Sequence, residues 1–503
     1  MADLRLDRRA VLAALAAAPL AARAAAATDL DVAIVGGGVS GVYAAWRLAQ
    51  AKPQLRIRLF EASARIGGRL HSVAFPQAPH LVAELGGMRF LEAHRHVSGL
   101  VRALGLPARL YPIDEPFDRV MLRGVNASRA DVDAGRARFP YRVPDKDQTP
   151  TADFFTRAVE KSVPGASHMT AADWLKARPR YRGLADVGNR DVLLRGMTKE
   201  ELALVEDGSG YSDWIDGETG LDEMDYFFVH DDESKPFSTI AGGYQQLPLT
   251  LAKQAGAAIA TDATLMSLDP GAGGTTRLTV CDANGRRTSL TAARVILALP
   301  RRALECIADF PERARFANLV ASVTPIPACK SLLLYKRPWW RDRGIVDGRS
   351  VTDLPARQFY ALGAEPSRLP NEDTNGYGVL MAYSDTRFVP GWRALAKTGD
   401  AALMREVHRE ATRVLGPTGL RPLAVRFQDW SADPFGGGWH YYARGHDGLA
   451  DSAAMLKPLP DRELYVCGEA YSLAQGWVEG ALERAEAVLQ RHFGLNAPQW
   501  VKA

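Results

Sequence analysis

The stretch from Asp31 to Glu61, DVAIVGGGVSGVYAAWRLAQAKPQLRIRLFE, leaves the chain little choice of local fold. Val32, Ile34 and Val35 form an apolar run too short for a stable helix, which reads as a buried strand. Gly36, Gly38 and Gly41 follow in the spacing G-x-G-x-x-G. The first permits a tight turn, the second lets backbone approach a pyrophosphate, and the third lets the next helix pack against the strand. That helix opens at Ser40, has an apolar face of Val42, Ala45, Leu48 and Ala49, and offers unpaired N–H groups to an anion at its N-terminus. Ile57, Leu59 and Phe60 supply a second strand that ends in Glu61. A carboxylate there can accept both ribose hydroxyls of an adenosine, and its charge repels a 2′-phosphate. Strand, turn, helix and acid together predict an adenine dinucleotide, with NAD and FAD both still open.

The continuation narrows this. After Glu61 come Arg65, Gly67, Gly68 and Arg69, an arginine and glycine loop suited to an anion. If the segment starts helical, Arg65 and Arg69 share a face. The fingerprint followed by E-x-x-x-R-x-G-G-R resembles the FAD-dependent amine oxidase family, which includes monoamine, polyamine and L-amino acid oxidases. The resemblance implies FAD, with Glu61 on the adenosine ribose and Arg65, Gly68 and Arg69 near the diphosphate and flavin. Gly86-Gly87-Met88-Arg89 is similar to the G-x-M-R segment of L-amino acid oxidases, whose arginine binds the substrate carboxylate and whose preceding residues, here Gly87 and Met88, are expected against the cofactor. An arginine beside a flavin is costly to desolvate unless an anion pairs with it, and an α-carboxylate supplies one; an internal pair with Glu84 is the competing reading.

Later segments extend the resemblance. Lys330 opens the apolar run Ser331–Tyr335 ahead of Trp339 and Trp340, and resembles the family lysine that holds water near flavin N5, a catalytic position. Tyr383 ends a strand whose family counterpart donates a hydrogen bond to the carboxylate, which makes it a partner of Arg89. Gly468-Glu469 ends another strand, where Glu469 is expected on ribityl or phosphate-side hydroxyls, and Gly476-Trp477 resembles the family's substrate-facing pair. No cysteine lies between Trp430 and Tyr442, the region where monoamine oxidases keep a flavin-linking cysteine, so the FAD is expected to be non-covalent.

At 503 residues the chain calls for more than one domain, and a net charge of +4 argues for neither a nucleic-acid partner nor a membrane surface. Residues 1–27 combine Arg8-Arg9, a short apolar run and an alanine-rich exit, the pattern of a twin-arginine export signal; a periplasmic or secreted mature protein follows. Cys281, Cys306, Cys329 and Cys467 lack metal-site spacing, with a Cys306–Cys329 bridge left open, and the histidines show no metal pairing, so no metal is expected. The acidic run Asp213, Asp216, Glu218, Asp222, Glu223 and Asp225 around Trp214 reads as a solvated face, with a recruiter of basic amino acids as the sharper alternative.

The expected fold is α/β: a discontinuous, Rossmann-like FAD-binding domain (28–90, 239–325 and 455–503), a mixed-sheet substrate domain (91–130 and 326–454) and a helical cap (131–238). The expected activity is oxidation of a small-molecule L-amino acid to a 2-oxo acid, with ammonia and H2O2 released and O2 as electron acceptor. The rivals are an amine or polyamine oxidase in which Arg89 is structural, a dehydrogenase using another acceptor, and a non-catalytic flavin-binding protein. A homodimer is the default assembly.

Overall fold

The strand Leu30–Val35 pairs in parallel on both sides, with Ile57–Phe60 and with Arg287–Leu297. The computed structural model describes residues 28–111, 118–144, 152–230, 237–345, 348–362 and 376–502, so the segment read as an export signal lies outside the described residues. Ala33 and Ile34 have no exposed surface, which explains why this strand is apolar throughout instead of alternating. The full sheet runs Ala258–Ala260, Ile57–Phe60, Leu30–Val35, Arg287–Leu297, Thr276–Asp282 and Ala263–Pro270, and Leu464–Val466 adds in parallel to Arg287–Leu297. Its strands thus come from distant parts of the chain. The helix Val39–Ala51 covers one face beside Gln246–Gln254 and Val478–Phe493. Tyr43 Oη and the Arg47 guanidinium fasten it to Glu486 at 2.7 and 3.0 Å.

A second, mixed sheet orders Ala424–Asp429, Ala328–Tyr335, Gly378–Asp385, Gln358–Leu362, Gly348–Thr352, Arg119–Leu122 and Val125–Ser128. The two-residue period of a strand sorts its side chains. Leu333 and Leu380 face the helices Val389–Lys397 and Asp400–Leu415, whereas Leu332, Leu334, Met381 and Tyr383 face the other way, toward Phe75, Leu81, Trp439 and Trp477. Lys330 lies on the second set's side, in register with Tyr383 on the neighbouring strand.

Short helices from Ala152 to Asp225 cover the open side. Among them are Ala152–Ser162 and Ala171–Ala177. Thr170 with Asp173 and Thr198 with Glu201 form reciprocal caps, which let such short helices start where they do. The helix Arg95–Ala103, expected with the substrate domain, buries Val97, Leu100 and Val101 in the same core as Val42 and Leu482. Its apolar stripe meets Val478–Phe493, a partner nearly four hundred residues away that local pattern does not reveal. Among the described residues no helix is long and apolar enough to cross a membrane.

Candidate active site

A cavity of about 1040 Å³ lies between the two sheets and under the short helices. Its first end is the glycine turn. Gly36 holds φ at +105°, and a Cβ on it would stand 2.5 Å from the Ala298 carbonyl oxygen. A Cβ on Gly41 would stand 1.9 Å from the Gly36 oxygen, so the helix reaches the strand only with glycine there. Gly38 bridges to Gly67, and a Cβ on Gly68 would come within 3.0 Å of the Gly38 Cα, so the wall here is bare backbone. We expect Gly41→Val to be purified without bound dinucleotide and with a thermal midpoint several degrees lower; full nucleotide content on acid extraction would refute this account of the turn.

Glu61 stands at the expected strand end. Its Oε2 accepts from Gly37 N at 2.6 Å, and its Oε1 accepts from Ser63 N and Oγ at 2.8 and 2.6 Å. Oε2 therefore keeps a lone pair for a ribose hydroxyl. Arg65 departs from its expected place on the diphosphate. The loop 62–71 is not helical, so the two arginines share no face. Arg65 instead donates to the Gly68 and Leu70 carbonyls at 2.5 and 3.1 Å and is absent from the cavity wall, stapling its own loop.

Arg69 does line the cavity, and it pairs with Glu469 at 2.6 Å while donating to Gly438 O at 3.0 Å. Glu469 is almost fully buried. Its Oε1 accepts from His440 N and Gly476 N at 3.0 and 2.9 Å, and its Oε2 faces Arg69 and His440 Nδ1. Although burial opposes ionisation, the Arg69 guanidinium and His440 hold the carboxyl down at about 2. Four protein partners occupy the four acceptor positions of this carboxylate. Glu469 thus ties the cavity wall together, and both oxygens expected to meet ribityl or phosphate-side hydroxyls are taken by protein donors. Gly468 takes φ of +124° beside it and Gly476 +80°, both in the region that favours glycine.

At the second end Lys330 is buried, donating from Nζ to Gly86 O at 2.6 Å and approaching Met88 Sδ at 3.5 Å. Burial pulls its ammonium down to about 7. Burial likewise pushes the neighbouring Glu84 carboxyl up to about 7, against donors from Tyr244 N and Ser72 Oγ. Gly87, Met88 and Arg89 all line the cavity here. The Arg89 guanidinium sits 3.9 Å from the centre of the Phe237 ring, and Trp477 stacks on that ring's plane at 6.0 Å. The Tyr383 hydroxyl donates to Asp385 Oδ2 at 3.2 Å, and its ring stacks with Trp439 at 6.5 Å and meets Tyr211 edge-on at 5.4 Å. Lys330, Arg89, Tyr383, Gly476 and Trp477, scattered through the sequence, therefore border one space.

The acidic run is not a solvated face, because Asp213, Glu218 and Glu223 are buried and line the same cavity as Asp222 and Asp225. Charge patterning cannot reveal this, since the helices Asp213–Gly217 and Gly220–Asp225 are too short for a periodic apolar face to show which side turns inward. Arg349 and Tyr441 also line the wall, and neither stands in a motif that would have pointed to it. All four cysteines are free thiols, so the Cys306–Cys329 bridge does not form. Away from the cavity, His96, Glu479 and Glu483 bring ligand-type atoms within 4.8 Å of one another, and the His96 ring pairs with Glu479 at 2.9 Å.

Residues 39–489 match the family of flavin containing amine oxidoreductases. Aplysianin-A from Aplysia kurodai is 25% identical, with 92% of this chain and 90% of that one aligned. The L-amino-acid oxidase BmooLAAO-I from Bothrops moojeni is 25% identical, with 90% and 87% aligned. A solved structure of putrescine oxidase bound to putrescine shares the fold, with a TM-score of 0.70 at 20% identity over 93% of this chain and 99% of that one.

Proposed function

The chain belongs to the family of flavin-containing amine oxidoreductases, and from that premise we propose that it is an L-amino acid oxidase. It converts an L-amino acid to the 2-oxo acid and passes the electrons to O2. FAD fits the site on three observations: the bare glycine wall at Gly36, Gly41 and Gly68, the spare acceptor on Glu61, and one cavity joining that end to Lys330 and Arg89. The cofactor, when bound, supplies the acceptor for the hydride from the amine-bearing carbon and the route by which O2 becomes H2O2. The segment Trp430–Tyr442 lines part of the cavity and contains no cysteine, which supports non-covalent binding.

The strongest support is a fixed cation at the aromatic end of the cavity. Arg89 sits over Phe237, on the wall it shares with Tyr383 and Trp477. A guanidinium there gives a planar, charge-assisted contact to a carboxylate. With the carboxylate on Arg89 and the Tyr383 hydroxyl turned from Asp385 to donate to it, the side chain and amine lie between Trp439 and Trp477 and little rotational freedom remains. Gly476 borders the same place with bare backbone. Lys330 Nζ, its proton affinity lowered by burial until it titrates near neutrality, can take or return a proton beside the reacting carbon. The imino acid formed by loss of hydride and proton is hydrolysed by water to the 2-oxo acid and ammonia, which closes the balance.

A peroxide-coupled screen tests this directly. L-amino acids should be oxidised at least about 100-fold more efficiently than the amines made by removing their carboxylates. Equal turnover of an amino acid and its decarboxylated amine would return the protein to the amine oxidases proper. Reduction of a dye without peroxide would make it a dehydrogenase. We further propose export through the twin-arginine-like segment 1–27 and action in the periplasm or outside the cell. Replacing both Arg8 and Arg9 by lysine should trap the protein in the cytoplasm, and unchanged export of that variant would refute the signal.

A further inference from the structure

Ion pairing is unevenly distributed around the cavity. Glu206, off the cavity wall, is matched by Arg190 and Arg387, and Asp225, on the wall, by Arg178. Asp213, Glu218 and Asp222 border the same space, yet among the described residues no arginine, lysine or histidine lies within ion-pair distance of them. Asp213 is 5% exposed; its Oδ2 accepts from the Tyr441 hydroxyl at 2.6 Å, its carboxyl faces the buried carboxyl of Asp385, and among the described residues no hydrogen bond reaches its Oδ1. A desolvated carboxylate oxygen without a partner is costly to keep in a fold. The cost falls if a cation arrives with the ligand.

The position of this wall relative to the chemistry follows from one strand. Trp439 and Tyr441 lie two residues apart on Trp439–Tyr442, so they face the same side about 7 Å apart. Trp439 stacks on Tyr383, at the reacting end. Tyr441 holds Asp213. Tyr211, Trp214 and Tyr226 line the same cavity and offer apolar surface to methylene groups. An extended chain of four methylenes and an amine spans about 6 Å from its α-carbon. We infer that Asp213, with Glu218 and Asp222 behind it, forms a subsite for the distal cation of the substrate, and that the enzyme's preferred substrates are L-amino acids with cationic side chains. This rests on the L-amino acid reading for the carboxylate end only; the cation subsite stands on its own residues. Burial pushes all three carboxyls up, with the Glu223 carboxyl adding to the effect at Glu218, and Asp222 rises to about 8, so an incoming ammonium displaces the proton that Asp222 holds at neutral pH.

The test uses holoenzyme with L-lysine, L-norleucine and cadaverine, which respectively carry both charged groups, lack the distal amine and lack the carboxylate. L-lysine should exceed L-norleucine in kcat/KM by at least about 30-fold, and should raise the thermal midpoint more at equal concentration. Asp213→Asn or Glu218→Gln should cut the lysine-to-norleucine ratio at least about tenfold. L-norleucine matching or exceeding L-lysine in both measurements overturns the subsite, whatever the variants do. Cadaverine turned over as well as L-lysine, with norleucine poor, would sink the carboxylate reading and leave the subsite standing. Norleucine preferred and cadaverine inert would do the reverse. If turnover is absent with all three, the thermal shift decides between lysine and norleucine.

Discussion

Arg69→Ala is expected to lower the unfolding free energy by about 3–5 kcal/mol and to give protein that no longer retains FAD. The reason is what the change leaves behind. Glu469 is buried against His440, whose own ring has no exposed surface, and Arg69 is the full cation facing it. Without the guanidinium, that carboxylate must either stay charged in a desolvated place or take up a proton and release its donors. The pH dependence carries the sign of the effect. The Glu469 carboxyl sits at about 2 in the fold against an ordinary 4.5, so its stabilisation is fully present above about pH 4.5 and is lost as pH falls toward 2. That difference corresponds to about 3 kcal/mol. In Arg69→Ala the low-pH loss should shrink because much of it is already gone at pH 7. Urea titrations of both proteins at pH 7 and pH 4, read with flavin release, check this. Equal midpoints and retained flavin would show that His440 and the Gly476 N–H suffice for Glu469.

Arg89→Ala should lower kcat/KM for L-amino acids by about two orders of magnitude, mainly through KM, as expected for loss of a desolvated charge-paired contact worth about 3 kcal/mol. Decarboxylated amines should be unaffected or improved, because they never used the guanidinium and no longer face its charge. The Phe237 ring against which Arg89 lies would be left with a gap, so folding is to be checked by the thermal midpoint. An amino acid KM equal to that of the parent protein would remove Arg89 from carboxylate binding.

Legibility in the sequence extends to what neighbouring residues decide. The glycine turn, its helix and Glu61 stand within thirty-odd positions, and sterics alone require glycine at Gly36 and Gly41. Lys330 and Tyr383 are recognisable by pattern, and their cross-strand register adds why they border one space. Other roles depend on partners far along the chain. Arg69 meets Glu469 and Gly438, and Trp430 donates from its indole to Leu85 O at 2.8 Å. No local window holds both members of such pairs. Arg65 goes astray for a related reason: a diphosphate role presumes a helical segment, while the backbone turns and supplies two carbonyls of its own. Charge patterning fails similarly at Asp213 and Glu218, where short helices turn a polar run inward.

The order in which strands enter the first sheet has a bearing on how the protein comes into being. Leu30 registers with Ala292, and Val295 in turn with Leu464. During synthesis the early strand–turn–helix unit therefore waits through hundreds of residues for its neighbours, and such distant pairing makes assembly slow. Glu469 and the helix Val478–Phe493, which finish the cradle, are made more than four hundred residues after the strand Leu30–Val35. A nascent chain can hold no properly seated flavin, and a chain stopped short of Val466 is expected to yield an unfolded product instead of a weakened enzyme. Seating of the proposed cofactor thereby requires synthesis to have passed at least Glu469.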